Sequence, residues 1–413
     1  MSSSTIIFLN LPPKTFVGVN LISFSSSPNF CGITDVPPGL NLIYTGTDAS
    51  LSIRHGIWLD TVSSRSGSHV HSLRWNAEHE HLILLAPDHE DAQRVARNLP
   101  SLQRRGLVDY AALRDKTVAL QQEQSTSQSN DDGQDAWLAL TSHVTPRLLS
   151  RLLDSTQSWT LTSLASTQQD AEAEHIPGLS QHEASTALAP YSTLNVSRIN
   201  LKQTWPDGAL GGERTDKAQD RSWYLGRLIH ALTLPTTDVK VEDDRKQIKQ
   251  RQAASELLGE LQFCYVAVLT LANWSCLEQW KRLLSVLCTC KSALTDVEGF
   301  FVEMLTVLKA QLGRVEDVEG GLFEMADEHA SAWLRQLLRQ LRRNVDEAGA
   351  MKVGAVLKEL ERWLQEQYGW EDNRNVLRRG TVQLEDGEEV EFEDQRYDEE
   401  DELGEYAPVV VET

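Results

Sequence analysis

The residues best suited to chemistry are five histidines in one short stretch: His69, His71, His79, His81 and His89. Imidazole changes charge near neutral pH and is a frequent metal ligand. If residues 70–75 and 81–86 form a hairpin, His69 and His71 share one face, as do His79 and His81. Four imidazoles on adjacent strands could hold zinc. Zinc sites, however, usually recruit a ligand from elsewhere, and exposed strand faces readily carry polar residues, so no metal is expected. Cys288-Thr289-Cys290 lies in a helical stretch, where residues two apart point to different sides. The pair would chelate poorly and is read as small core residues. Trp205, Trp223, Trp274, Trp280, Trp333, Trp363 and Trp370 fall at helical spacing and are read mainly as core, with one or two left for a surface role. The chain contains no G-x-x-x-x-G-K-[ST], no G-x-G-x-x-G after a strand, no G-x-S-x-G and no H-E-x-x-H. The expectation is a protein without catalytic residues and without a cofactor.

A different kind of activity is written at the carboxyl end. Ala407-Pro408-Val409-Val410-Val411-Glu412 is apolar and β-prone, and it follows a run of acids. It could fold back on its own domain, which would cover an aggregation liability. The sharper reading is a linear motif that adds a strand to a partner's sheet. Val409 and Val411 would face one way and Val410 the other. Pro408 would stand at the strand start, where no donor is needed. Residues 381–413 hold fourteen acids and one base, a net of -13 out of -21 for the whole chain. Such a block is normally solvated. Within it, Val382–Leu384 and Val390–Phe392 flank an Asp386-Gly387 turn and predict a hairpin, one that would need a platform.

The elements that must position these features divide by periodicity. The first 90 residues predict strands at Thr5–Leu9, Thr15–Ile22, Gly39–Tyr44, Gly56–Thr61 and Val70–Trp75, with a turn at Pro37-Pro38-Gly39 and a hairpin from Val70–Trp75 into His81–Ala86. Asp88 is the expected cap of a helix running to Asn98, followed by helices at Leu102–Leu120 and Asp135–Leu153 around an exposed Gln/Ser loop at 121–133. Thr162–Pro190 predicts an interdomain linker, Thr204–Asp220 has no clear period, and Val239–Lys249 predicts a charged surface loop. From Ala218 to Tyr368 the period is helical. Glu256–Leu271 is apolar nearly all round, which predicts a central buried helix. Ser275/Glu278 and Thr295/Glu298 read as capping boxes, and Gly313 as a helix stop.

The chain has 413 residues, with 39 basic and 60 acidic side chains, 40% hydrophobic and 24% charged. This predicts a soluble, globular protein of two to three domains. The acidic balance argues against nucleic-acid binding as the main activity and against anionic membranes. No run of roughly 18–20 apolar residues stands out as a membrane span, and the start lacks the features of a secretory signal. Five cysteines without such a signal predict reduced thiols, and the sequons at Asn195 and Asn273 are expected to be idle.

Taken together, the pieces resemble one family. They are Phe30-Cys31-Gly32-Ile33, Val36-Pro37-Pro38-Gly39, His55-Gly56-Ile57-Trp58-Leu59 and Leu73-Arg74-Trp75. Then come Arg221-Ser222-Trp223-Tyr224-Leu225, Leu257-Leu258-Gly259-Glu260-Leu261-Gln262-Phe263, Glu278-Gln279-Trp280-Lys281-Arg282-Leu283-Leu284, and the end segment. In order and spacing they are similar to the Aar-two family of splicing-factor assembly proteins. The 121–133 loop and the acidic run after Arg379 look like local elaborations.

The resemblance implies an α+β multidomain protein: a β-rich amino-terminal domain plus an all-α carboxyl-terminal domain resembling VHS-type helical stacks. The expected layout is 1–161 for the first domain, 162–190 for the linker, 191–370 for the second domain and 371–413 for the tail. The family is not enzymatic. It binds the RNase H-like and Jab/MPN-like domains near the end of Prp-eight in a U5 small nuclear ribonucleoprotein precursor, keeping the Brr-two helicase off. Its clamping peptide carries onto Tyr406, Ala407, Pro408, Val409, Val410, Val411 and Glu412 here. Expected localisation is cytoplasm and nucleus, with no membrane, no small-molecule substrate and at most indirect RNA contact. The alternative is a trafficking adaptor of VHS type, which the missing basic patch disfavours.

Overall fold

A computed structural model describes residues 4–48, 52–62, 70–102, 106–116, 133–155, 158–173, 193–233, 243–315, 325, 331–370, 380–383 and 389–392. A β-rich amino-terminal region precedes a helical carboxyl-terminal one. The chain packs as two compact units. One comprises Met1–Arg198, Leu232–Lys281 and Val307–Leu322; the other comprises Ile199–Ala231, Arg282–Thr306 and Phe323–Thr413.

The first unit is built on two five-stranded sheets. One has the order β8 (His81–Leu84), β7 (Val70–Asn76), β1 (Ser4–Leu9), β4 (Gly32–Val36), β9 (Leu107–Asp109). The other has the order β10 (Trp159–Thr162), β6 (His55–Asp60), β5 (Leu40–Gly46), β2 (Phe16–Val19), β3 (Ile22–Ser25). The second sheet is antiparallel throughout, whereas β1 runs parallel to β7 and antiparallel to β4. Ile6, Phe8, Val17, Val19, Ile33, Ile43, Ile57, Leu59 and Leu73 make one buried cluster. Each contributes about 1.5–3 kcal/mol of burial relative to exposure.

Strand β6 shows how sequence period becomes packing. Ile57 and Leu59 join the cluster, while the alternate positions Gly56 and Trp58 point the other way. There the Trp58 ring stacks on Trp137 at 5.7 Å and on Phe263 at 6.3 Å. A β-carbon at Gly56 would come within 3.2 Å of Leu271, so this strand is buried on both faces.

Several expected elements need correction. Thr15–Ile22 is not one strand: Asn20 adopts φ 55, and β2 turns there into β3. Asparagine tolerates the left-handed region better than most residues, and its side chain bonds Leu42 N and Asn41. Strand β4 was not among the expected strands. Leu102–Leu120 is not one helix, because Leu107–Asp109 pairs with β4; residues 110–116 are helical, and 117–120 lie outside the described residues. Gly106 permits this: its carbonyl accepts from Cys31 N, and any β-carbon there would collide with Asn29. His89, rather than Asp88, stands before α1 (Glu90–Leu102), its Nδ1 accepting from Asp91 N at 3.1 Å. Residues 121–132 lie outside the described residues.

α2 (Gly133–Thr141) and α3 (Pro146–Leu152) follow, the latter capped by Thr145. Within the stretch expected to be a linker, β11 (Ser166–Thr167) pairs with β12 (Thr193–Leu194) and α4 spans Gln168–Ala173. Residues 174–190 of it lie outside the described residues. The aperiodic stretch holds α5 (Gly212–Gln219), which buries nothing, and α6 is Ser222–Leu232.

α7 (Asp243–Leu271) starts inside the expected surface loop, because its charged first turns are rich in the good helix formers Lys, Arg and Gln. Gln247–Leu271 is long and apolar enough to cross a membrane by length and composition, contrary to the expectation that no such run exists. Yet 83% of its most apolar window is buried inside the protein, as befits a core helix. α8 is Trp274–Leu287, α9 Ala293–Asp296 and α10 Glu298–Leu312. Neither expected capping box forms. Asn273 caps α8, its Oδ1 accepting from Cys276 N at 2.8 Å, and Glu298 instead pairs with Lys352 at 3.0 Å. Gly313 N closes on Lys309 O, but Gly313 is not among the positive-φ residues.

In the second unit, α11 (Ala332–Ala348) and α12 (Met351–Tyr368) form a helical pair joined at Gly349, whose φ of 68 is the left-handed stop expected of glycine. Leu334, Leu337, Leu338 and Leu341 on one helix and Val353, Leu357, Leu360 and Leu364 on the other are buried. Arg342 forks onto Glu361 across the pair, with Nε to Oε1 at 2.8 Å. The hairpin expected in the tail is present: β13 (Gly380–Gln383) pairs antiparallel with β14 (Glu389–Phe392).

Candidate functional site

A dense polar arrangement in the first unit surrounds the Leu257–Phe263 motif. Helix α7 is apolar on most sides there, so its few polar residues are forced inside, where each must find a partner. Glu260 is fully buried. Its carboxylate accepts from Ser197 N at 2.8 Å, Ser197 Oγ at 2.9 Å and Gln279 Nε2 at 2.9 Å, and pairs with Arg151 at 2.8 Å. Gln279 also donates to Ser197 O at 2.8 Å. Gln262 accepts from His143 N at 2.7 Å and donates to Ala139 O and Ser142 Oγ. One turn away, Glu256 pairs with Arg147 at 2.7 Å.

Gly259 completes the motif. A β-carbon there would lie 2.4 Å from His143 O, so only glycine lets α7 approach the segment between α2 and α3 this closely. Trp280 donates to Gln311 Oε1 at 2.9 Å, and the Tyr265 hydroxyl donates to Gln311 O at 2.6 Å. Asn273 adds three donations, to Thr162 O, Ser163 O and Ala165 O. The Glu260 carboxylate is saturated by donors and sealed from solvent. Its chemistry is to hold backbone segments in place rather than to exchange protons with a substrate.

Among the described residues the histidines do not converge as a metal site. His69 lies outside the described residues. His81 stacks on His79 at 5.9 Å and on His55 at 5.4 Å, the latter a residue the sequence reading passed over. Burial, then the neighbouring His81, pushes the His55 pKa down to about 4. His89 is spent on the α1 cap. Among the described residues, no group of three or more His, Cys, Asp or Glu is placed to hold a metal ion. Cys264, Cys276, Cys288 and Cys290 are fully buried, and burial pushes the Cys288 thiol up to about 12. Of the tryptophans, Trp280 and Trp370 are buried, whereas Trp274 is 60% exposed with Lys281 over its ring.

The predicted partner-binding residues Tyr406, Ala407, Pro408, Val409, Val410, Val411 and Glu412 lie outside the described residues. Sequence reasoning named the motifs around Glu260 but missed the groups they hold, Arg151 and Ser197. Nothing in local period marks those two, because they meet α7 only through the fold.

Comparison with known proteins follows the same division. The family described as AAR2 N-terminal domain matches residues 2–154, and that described as AAR2 C-terminal repeat region matches residues 197–373. The Mus musculus protein named Protein AAR2 homolog is 25% identical over 329 residues, covering 76% of each chain. The Homo sapiens protein of that name is 23% identical over 330 residues, again covering 76% of each. Two family regions in order, spanning most of the chain and each falling on motifs whose packing is described above, show that this chain belongs to the AAR2 family.

Proposed function

We propose that the chain is a non-catalytic assembly factor of the U5 small nuclear ribonucleoprotein, acting in pre-mRNA splicing. It binds the carboxyl-terminal RNase H-like and Jab/MPN-like domains of Prp-eight and delays binding of the Brr-two helicase. Membership of the AAR2 family is the observation that carries a splicing-related role. The partner, the delay and a place in cytoplasm and nucleus are what that membership adds as a reading. In this proposal the layout is 1–161, 162–190, 191–370 and a tail from 371. Tyr406–Glu412 adds a strand to a partner's free sheet edge, with main-chain bonds supplying affinity and alternate side chains supplying specificity.

Reversing a 99:1 preference on release requires about 5.5 kcal/mol of differential affinity. Phosphorylation of Ser or Thr beside an acidic interface is one source of it. The test deletes residues 404–413 and measures binding to the recombinant carboxyl-terminal region of Prp-eight. A large loss of affinity is expected, and unchanged affinity removes the clamp role. Co-purification from cells scores the partner itself: U5 components without the helicase are expected, and vesicle-coat proteins in their place would overturn the reading.

A further inference from the structure

A cleft of about 1120 Å³ opens in the second unit between the α5–α6 junction, the end of α8 with the segment into α9, and one face of α11. Gln336, Gln340 and Glu347 of α11 line it at helical spacing. Three carboxylates line it, Asp216, Asp220 and Glu347, beside the cations Arg221, Lys291 and Arg343, and two of the three carboxylates are already engaged. Asp220 accepts from the N–H and hydroxyl of Ser222, from Lys291 N, and from the N–H and hydroxyl of Ser292. Burial alone would raise its pKa, but these bonds outweigh burial and hold it at about 2. Glu347 pairs with Lys291 at 2.6 Å. Arg221 differs. Its Nη1 donates to Ser285 O at 3.0 Å, its Nε is buried without an acceptor, and it has no carboxylate partner among the described residues. A partly buried cation without counter-charge is costly unless something supplies that charge.

The place where the chain leaves α12 identifies the supplier. After α12 the backbone turns at Gly369, and Trp370 is buried, its Nε1 donating to Met325 O at 2.6 Å. Arg335 of α11 lies over the Trp370 ring at 4.5 Å, next in sequence to the cleft residue Gln336. The exit is therefore pinned beside one end of the cleft wall. From Glu393 to Glu405 the sequence holds eight acids and one base. Because β13–β14 folds back on itself, reach comes from residues 371–379, which span at most about 30 Å when extended, still a little more than the length of α11. Tethering also raises the local concentration to the millimolar range.

We propose that the acidic run Glu393–Glu405 docks in this α11 cleft of its own chain, its carboxylates supplying the counter-charge of Arg221. The contact keeps the carboxyl-terminal segment close to the folded protein until a competitor displaces it. It does not depend on which partner that competitor is.

The test places a photo-crosslinking p-benzoylphenylalanine at Tyr397 in the full chain and maps intramolecular crosslinks by mass spectrometry. Crosslinks to 333–347 and 285–295 are expected. They should fall at least tenfold in Arg221→Gln, survive in Arg221→Lys, and fall with added salt. A second variant leaves every folded residue intact: Asp398, Glu399, Glu400, Asp401 and Glu402 become the corresponding amides. It decides the matter if Arg221→Gln does not fold, and a loss of the same crosslinks supports the docking. Crosslinks that map elsewhere, or that persist in the amide variant, overturn it.

Discussion

Gly259 faces the carbonyl of His143 so closely that a β-carbon would lie 2.4 Å from the oxygen and 2.6 Å from Leu148 Cδ2. Both partners are backbone or packed core, so neither yields cheaply. Gly259→Ala is expected to destabilise the fold by about 2–3 kcal/mol despite the better helix propensity of alanine. Urea denaturation measures this, and a stability gain of the size propensity alone would give excludes the close contact.

The Arg151–Glu260 pair gives a second prediction. Removing the buried carboxylate strands Arg151 and the N–H of Ser197 together. Glu260→Gln should cost about 2–3 kcal/mol, somewhat below a fully isolated pair because Glu256 lies 3.8 Å from Arg151. In a double-mutant cycle with Arg151→Met, a coupling energy indistinguishable from zero would show that the two residues act independently.

Asn273 caps α8 and donates to three carbonyls of residues 162–165. Asn273→Ala removes all of these at once, leaves three carbonyls short of a donor, and is expected to cost about 2 kcal/mol or more. Amide exchange near residues 162–165 should quicken with it. A change confined to the first turn of α8 would limit the role to capping.

Protonation of His55 is resisted in the fold. Its pKa is about 4 there against 6.5 for the free side chain, because the ring is partly buried and His81 is near. The unfolded chain therefore takes up a proton that the folded chain refuses. The stability His55 confers is complete above pH 6.5 and declines as pH falls from 6.5 towards 4. His55→Gln should flatten the fall in urea midpoint between pH 7 and pH 5. An unchanged slope would assign that fall to other groups.

If the end segment adds a strand to a partner, its side chains alternate between two surroundings. Val409→Asp and Val411→Asp should weaken partner binding together, by more than tenfold each, while Val410→Asp differs from both. Equal effects at all three positions would point to a non-strand mode, read by titration calorimetry against the Prp-eight carboxyl-terminal region.

How much was legible depended on whether a residue's role was local. The hairpin at β13–β14 followed from an Asp-Gly pair between β-prone runs. The burial of α7 followed from its all-round apolar surface. The periodicity also carried Ile57 and Leu59 to one face of β6. The misreadings share a cause. Asn20 could turn the chain because its amide meets Asn41 across the sheet, and Gly106 could start β9 because Cys31 waits there to donate. Asn273 displaced Ser275 as the cap because its amide also serves the carbonyls of 162–165.

By itself, the sequence determined the β-rich and helical division, the family, and an acidic arm ending in an apolar segment. All of these rest on period, composition and ordered motifs, which are properties of neighbours in the chain. Only the tertiary structure decided what the motifs do: that Glu260 is a saturated anchor for Ser197 and Arg151, that Gly259 is a point of close approach, and that Arg221 lines a cleft with no carboxylate partner among the described residues. Those are relations between residues tens of positions apart, and hydrogen-bond and charge energies depend on distance and burial, which sequence separation does not encode.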